Sequence, residues 1–283
     1  MRYLPLFLLL AGTLVLACKK DKTLPENPLQ PALQLTKNVQ HNGVAVDVVI
    51  DKPEGNRMDA VLLFHGTVRR DSLVLQAANQ LLGRFKDILQ RDDLLLISVA
   101  YPEENLLFGD NLAHCEAALL WVKQQAEAEL GIQIPKIYLA GHSQGGYLAV
   151  RLNTLHSTAG VIANAPGPLN LVFRCQLEEN GQIPPAMECS LLNQEYGSTS
   201  QNASAYFNRS LLNFTDGFKA PMLLVQGLND GPIHMHSWPQ FKQQVQDCVD
   251  CASVQIVEIE GAGHADMFDT ESGRQALNQF IGP

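Results

Sequence analysis

Short continuous apolar runs alternate along the chain with longer stretches of helical spacing. The runs 33–39 and 44–50 are β-like and flank His41-Asn42-Gly43, which predicts a hairpin. The run 60–64 is apolar throughout and stops at His65-Gly66, as a buried strand does. Leu81, Leu82, Phe85, Ile88 and Leu89 share one face of a helix over 76–90. Further strands are predicted over 94–99, 136–140, 161–164, 221–226 and 253–259, and further helices over 110–130, 144–154, 238–248 and 271–281. This alternation predicts an α/β fold: a mainly parallel sheet with helices on both faces and an antiparallel hairpin at its N-terminal edge. There is no internal repeat. The stretch 167–219, between Pro166 and Pro221, carries no clear strand. A structureless loop of that length is uncommon inside a compact domain, so a small inserted cap is expected there.

The chain ahead of residue 33 has another character. Arg2 precedes an apolar run over 4–17 that is interrupted only by Pro5, Gly12 and Thr13. The run fits the apolar core of a secretory signal, about 7–15 residues, and is shorter than the ~20 residues of a membrane-spanning helix. It ends Val15-Leu16-Ala17-Cys18, followed by Lys19-Lys20-Asp21-Lys22. A small residue before a cysteine at this point resembles the lipobox of bacterial lipoproteins. The resemblance implies cleavage after 1–17, lipidation of Cys18, and a place in the bacterial cell envelope, held to a membrane surface by the lipid alone. Residues 18–32 are charged, carry Pro25, Pro28 and Pro31, and read as a tether to a domain over 33–283.

Composition removes some partners. Lys+Arg total 20 against 29 Asp+Glu, a balance that argues against nucleic acid. A hydrophobic content of 46% argues against disorder. In an exported chain the cysteines after Cys18 can pair. Cys175 with Cys189 would close a loop and Cys248 with Cys251 a tight bridge, leaving Cys115 as a buried thiol in a helical pattern. Connectivity does not follow from sequence. The Cys-x-x-Cys pair lacks the second ligand pair of a zinc site.

Three turns carry the candidate chemistry. Gly141-His142-Ser143-Gln144-Gly145-Gly146 lies between a predicted strand and a predicted helix, the context of a nucleophile elbow. Asp230 follows the strand over 221–226, and His264 follows the strand over 253–259. An activated serine needs a base, and the base needs an orienting carboxylate. The chain order Ser, Asp, His is that of the α/β-hydrolases. With Phe64-His65-Gly66-Thr67, Gln226-Gly227-Leu228-Asn229-Asp230 and Gly263-His264, the chain resembles that superfamily from about Val44 onward. Its dienelactone-hydrolase, esterase and prolyl-oligopeptidase-like branches are the nearest. The resemblance implies Ser143 as nucleophile, His264 as general base and Asp230 as its orienter. It places an oxyanion hole on the main-chain N–H groups of Gln144 and Thr67. The loop His65-Gly66-Thr67-Val68-Arg69-Arg70 departs from the His-Gly-Gly-Gly run of many esterases.

Hydrolysis of carboxylic esters, without metal or organic cofactor, is the activity this implies. A prolyl-oligopeptidase-like peptidase is the enzymatic alternative, although such enzymes carry a large N-terminal domain. A non-catalytic binding lipoprotein on the same fold is the other. His65 is expected to brace the oxyanion loop and His142 to point away from Ser143. His234 and His236 alternate after Asp230 in a way that could suggest a metal, but no carboxylate or Cys cluster stands at ligand spacing and a solvated loop is expected. Asp266 and Asp269 are expected at the surface or capping the last helix. Arg69 and Arg70 read as a surface pair, Trp121 as core, and Trp238 and Tyr147 as pocket or packing residues. Oligomeric state is left open.

Overall fold

The computed structural model describes residues 28–282. The signal sequence expected over 1–17, the lipidation expected at Cys18 and most of the expected tether lie outside the described residues. The strands are β1 (Leu33–His41), β2 (Val44–Lys52), β3 (Ala60–Phe64), β4 (Leu95–Ala100), β5 (Ile137–His142), β6 (Gly160–Asn164), β7 (Met222–Gly227) and β8 (Val254–Ile259). They form one sheet in the order β1-β2-β4-β3-β5-β6-β7-β8. The pairs β1–β2 and β2–β4 are antiparallel, and every pair from β4–β3 to β7–β8 is parallel. The predicted α/β architecture with its antiparallel hairpin is therefore the observed one. The hairpin turns on Asn42 and Gly43, both at positive φ (49° and 83°), as a two-residue turn matched to strand twist requires.

Alternation along the strands divides the core. Leu62, Phe64, Ile97, Val99 and Leu139 face one apolar layer, and Val61, Leu63, Leu96 and Val225 face the other. The second layer is closed by α1 (Val74–Ile88), whose buried face is Ala78, Leu81, Leu82, Phe85 and Ile88. The helix ends before Leu89, which is already extended. The first layer is closed by α2 (Leu112–Trp121), which widens through a π turn at Val122–Ala126 before α3 (Glu127–Leu130). The helix expected over 110–130 thus begins two residues late and holds one wide turn, where the regular i to i−4 bonding is interrupted. Trp121 is core, as expected.

Helix α4 (Gln144–Leu155) follows β5 with one intervening residue. Between β6 and β7 the chain forms α5 (Leu171–Glu179), α6 (Met187–Tyr196) and α7 (Ala203–Phe207). A Cys175–Cys189 disulfide ties α5 to α6, a second joins Cys248 to Cys251, and Cys115 is a buried free thiol. The chain closes with α8 (Pro232–Met235), α9 (Trp238–Gln246), α10 (Asp266–Asp269) and α11 (Glu271–Ile281). Loops at the C-terminal ends of β3, β5, β7 and β8 therefore gather Thr67, Ser143, Asp230 and His264 on one edge of the sheet, where open α/β sheets place ligands. Among the described residues, no helix is long and apolar enough to cross a membrane.

Candidate active site

The turn from β5 into α4 is tight enough to set Ser143 at φ 57°, ψ −119°. That conformation is costly for a residue with a side chain and persists only where the surroundings enforce it. Three hydrogen bonds enforce it here: Ser143 N donates to Asn164 O (2.9 Å), and Ser143 O accepts from Tyr147 N (3.0 Å) and Gly167 N (3.1 Å). The flanking glycines leave the room. A Cβ on Gly141 would stand 2.1 Å from Gly145 O, and one on Gly145 would stand 1.8 Å from Phe64 O. Gln144 opens α4, so its N–H has no acceptor within the helix.

Asp230 and His264 meet across the β7 and β8 loops. His264 Nδ1 donates to Asp230 Oδ2 at 2.8 Å, and Gln226 Nε2 donates to the same oxygen at 3.0 Å. Gly231 N–H binds Asp230 Oδ1 at 2.6 Å. Burial alone would raise the Asp230 pKa. The hydrogen bond from His264, the nearby imidazoles and Gln226 outweigh burial and hold it at about 2. Asp230 is therefore a carboxylate that accepts from Nδ1–H, and in the neutral ring this leaves Nε2 as the lone-pair nitrogen.

Two further histidines lie against that ring. His142 lies 4.9 Å from it between centroids and meets Asn164 Nδ2 through its own Nδ1 (2.9 Å). Burial first, then the neighbouring His264 and Arg84, lower the His142 pKa to about 3. The His234 ring lies 4.5 Å from it, and burial lowers the His234 pKa to about 4. The solvated loop expected for His234 is thus corrected. Pro232 starts a one-turn helix immediately after Gly231, and the turn brings residue 234 back over residue 230. His236 projects elsewhere and stacks on Phe173 of α5 at 3.6 Å.

The loop after β3 lies against the elbow. A Cβ on Gly66 would stand 3.6 Å from the Ser143 Cβ. Thr67 Oγ1 donates to Gln144 Oε1 at 2.7 Å, so the two residues expected to supply the oxyanion hole are tied through their side chains. His65 is buried, stacks on Tyr101 and contacts Gly66 O through Nδ1, while Tyr101 OH donates to His65 O. Burial lowers the His65 pKa to about 4. Glu103 is a residue that the sequence pattern did not single out. Its Oε2 accepts Val68 N–H at 2.6 Å, and Asp71 Oδ1 accepts the main-chain N–H groups of Glu103 and Glu104. Burial pushes the Glu103 pKa up to about 8, opposed by the Val68 N–H and reinforced by Glu188 and Asp71. Arg69 and Arg70 are exposed, whereas Tyr147 and Trp238 are buried in the core. Asp269 is an exposed partner of Arg84, and Thr270 caps α11.

A serine on a strained strand–helix turn and a hydrogen-bonded Asp–His pair share the C-terminal edge of a mostly parallel sheet. The fold is that of the α/β-hydrolases. No protein-family model matches the sequence, and no curated protein matches it. Among solved structures, an esterase of the fungus Rhizomucor miehei superposes with a TM-score of 0.64 at 18% identity, over 89% of this chain and 83% of that one. The Pyrobaculum calidifontis esterase gives 0.63 at 20% identity, over 89% and 83%. The Pyrococcus horikoshii acylaminoacyl peptidase gives 0.59 at 14% identity, over 88% of this chain and 40% of that one. Within the α/β-hydrolase fold, Ser143, Asp230 and His264 stand on the elbow, the β7 loop and the β8 loop, respectively.

Proposed function

We propose that the chain is a serine hydrolase that cleaves carboxylic esters through Ser143, His264 and Asp230. The observation that carries this reading is the strained Ser143 elbow on the same sheet edge as a hydrogen-bonded Asp230–His264 pair. Ser143 Oγ attacks the ester carbonyl while His264 Nε2 takes its proton. Negative charge on the carbonyl oxygen rests on the N–H groups of Gln144 and Thr67, a contribution worth roughly 3 kcal/mol per donor. The imidazolium, stabilised by Asp230, returns the proton to the departing alcohol. Water, deprotonated by His264, then attacks the acyl-enzyme, releasing the acid and restoring Ser143. Esterases of comparable span among the structural neighbours support ester over peptide bonds.

Fluorophosphonate labelling tests the reading. The expected result is a single adduct on Ser143, absent in Ser143→Ala and nearly absent in His264→Ala. A folded wild-type protein that takes no adduct would establish the binding-protein alternative instead. The same proposal includes export, with Cys18 lipidated. Labelled palmitate should enter the wild-type chain in a bacterial host and not Cys18→Ser; equal incorporation, or none in either, rejects the anchor.

A further inference from the structure

We propose that Asp230, His234 and His264 form a site for a divalent transition-metal ion of the zinc class, and that filling it arrests the Ser143 chemistry. The arrest rests on the hydrolase reading above; the metal site does not.

Among the described residues, these three form the one group of potential metal ligands whose donor atoms all lie within 4.8 Å of one another. Two imidazoles and a carboxylate are the donor set favoured by Zn2+ and its neighbours, whereas Mg2+ and Ca2+ prefer oxygen donors. Bonds of about 2.0–2.1 Å to a tetrahedral ion set ligand atoms roughly 3.3 Å apart. The Asp230–His264 contact at 2.8 Å then opens slightly, and His234 closes in. The His264 side chain retains 35% exposure, which leaves a path for the ion and an open fourth position for water. His234 supplies an independent pointer. Its Nδ1 is buried and has no hydrogen-bond partner, an arrangement that costs free energy until something satisfies it. His142, the other neighbour, is engaged by Asn164 and does not take part.

Coordination disables His264. Its Nδ1, not Nε2, lies beside Asp230, so the ion shared with Asp230 takes Nδ1. The proton of that nitrogen shifts to Nε2, which then has no lone pair to accept the serine proton. No proton leaves the protein, and no bond to Ser143 is needed.

The test uses the Ser143→Ala protein, in which binding is read without turnover. Calorimetric titration with ZnCl2 should show one saturable site per chain, weakened at least about tenfold by His234→Ala and by His234→Gln. MgCl2 should give no such site. Unchanged zinc affinity in correctly folded His234 variants, or no saturable binding, overturns the proposal. Where those variants do not fold, the thermal shift of Ser143→Ala with Zn2+ is compared with that of the Ser143→Ala, His264→Ala double variant. An equal shift overturns the site. In the wild-type chain, Zn2+ should block ester turnover and fluorophosphonate labelling, and EDTA should restore both. Labelling undiminished at saturating Zn2+ removes the arrest. A His234-dependent zinc site in a chain that never labels removes the hydrolase reading and keeps the metal site.

Discussion

Asp230 Oδ2 accepts hydrogen bonds from both His264 and Gln226, while Oδ1 takes the Gly231 N–H. With donors on both oxygens and a pKa of about 2, the group remains a carboxylate throughout any pH range in which an esterase is assayed. In the proposed mechanism its part is therefore orientation and charge, not proton transfer. Asp230→Asn preserves the shape and removes the charge, and its amide hydrogens oppose the Nδ1–H tautomer. The expected loss in kcat is about 10^3–10^4-fold with KM little changed, measured on any turned-over ester. A loss below about tenfold would show that another group orients His264. Ser143, Asp230 and His264 were legible because each stands beside a glycine turn at a strand end. His234 and Glu103 were not, for opposite reasons. His234 depends on a one-turn helix too short to show periodicity, and Glu103 belongs to a Glu-Glu pair that looks solvent-facing until the fold buries one member.

Two glycines separate local propensity from tertiary demand. Gly83 lies inside α1, and a Cβ there would meet nothing within 4 Å. Gly83→Ala should therefore stabilise the fold by about 0.5–1 kcal/mol, through helix propensity and a less flexible unfolded chain. Gly145 also begins a helix, but its Cβ would be driven into the Phe64 carbonyl. Gly145→Ala should destabilise by several kcal/mol, roughly 3 or more, and abolish Ser143 labelling even in protein that remains folded. Urea denaturation of both variants reads the contrast; equal effects would mean that the elbow does not close on β3 as described. Strand positions were legible from their apolar runs because most strands are buried on both faces. The helices between β6 and β7 were not. Their packing faces are short, with Leu171 and Cys175 buried in α5 and Cys189 and Leu192 in α6, so they look like loop until the Cys175–Cys189 link and the Phe173–His236 stack hold them together.

At the scale of the whole molecule, the buried ionisable groups oppose one another in pH. His65, His142 and His234 have folded pKa values of about 4, 3 and 4, below the ordinary 6.5, mainly through burial, and His114 shifts the same way. Below pH 6.5 the unfolded chain takes up protons on these rings that the folded chain refuses, so their contribution is present above 6.5 and is lost as the pH falls toward 4. Glu103 acts in the reverse sense. Its pKa is raised from 4.5 to about 8, so the unfolded chain releases a proton that the folded chain retains, and stability declines as the pH rises through that interval. The histidines outnumber the two carboxyls raised by burial, Glu103 and Glu178, on the acid side. Between pH 6.5 and about 8 Glu103 carries the decline, and the buried Cys115 thiol, also pushed up by burial, adds to it at higher pH. Stability should therefore peak near pH 6.5, falling steeply toward acid and gently up to about pH 8. The urea midpoint measured across pH 4–9 checks the shape. Glu103→Gln retains an acceptor for the Val68 N–H and has no proton to lose, so it should flatten the alkaline limb and leave the acid limb in place. An unchanged alkaline limb would mean that Glu103 is already ionised at neutral pH, and that the oxyanion loop is held by a buried charge instead of a neutral carboxyl.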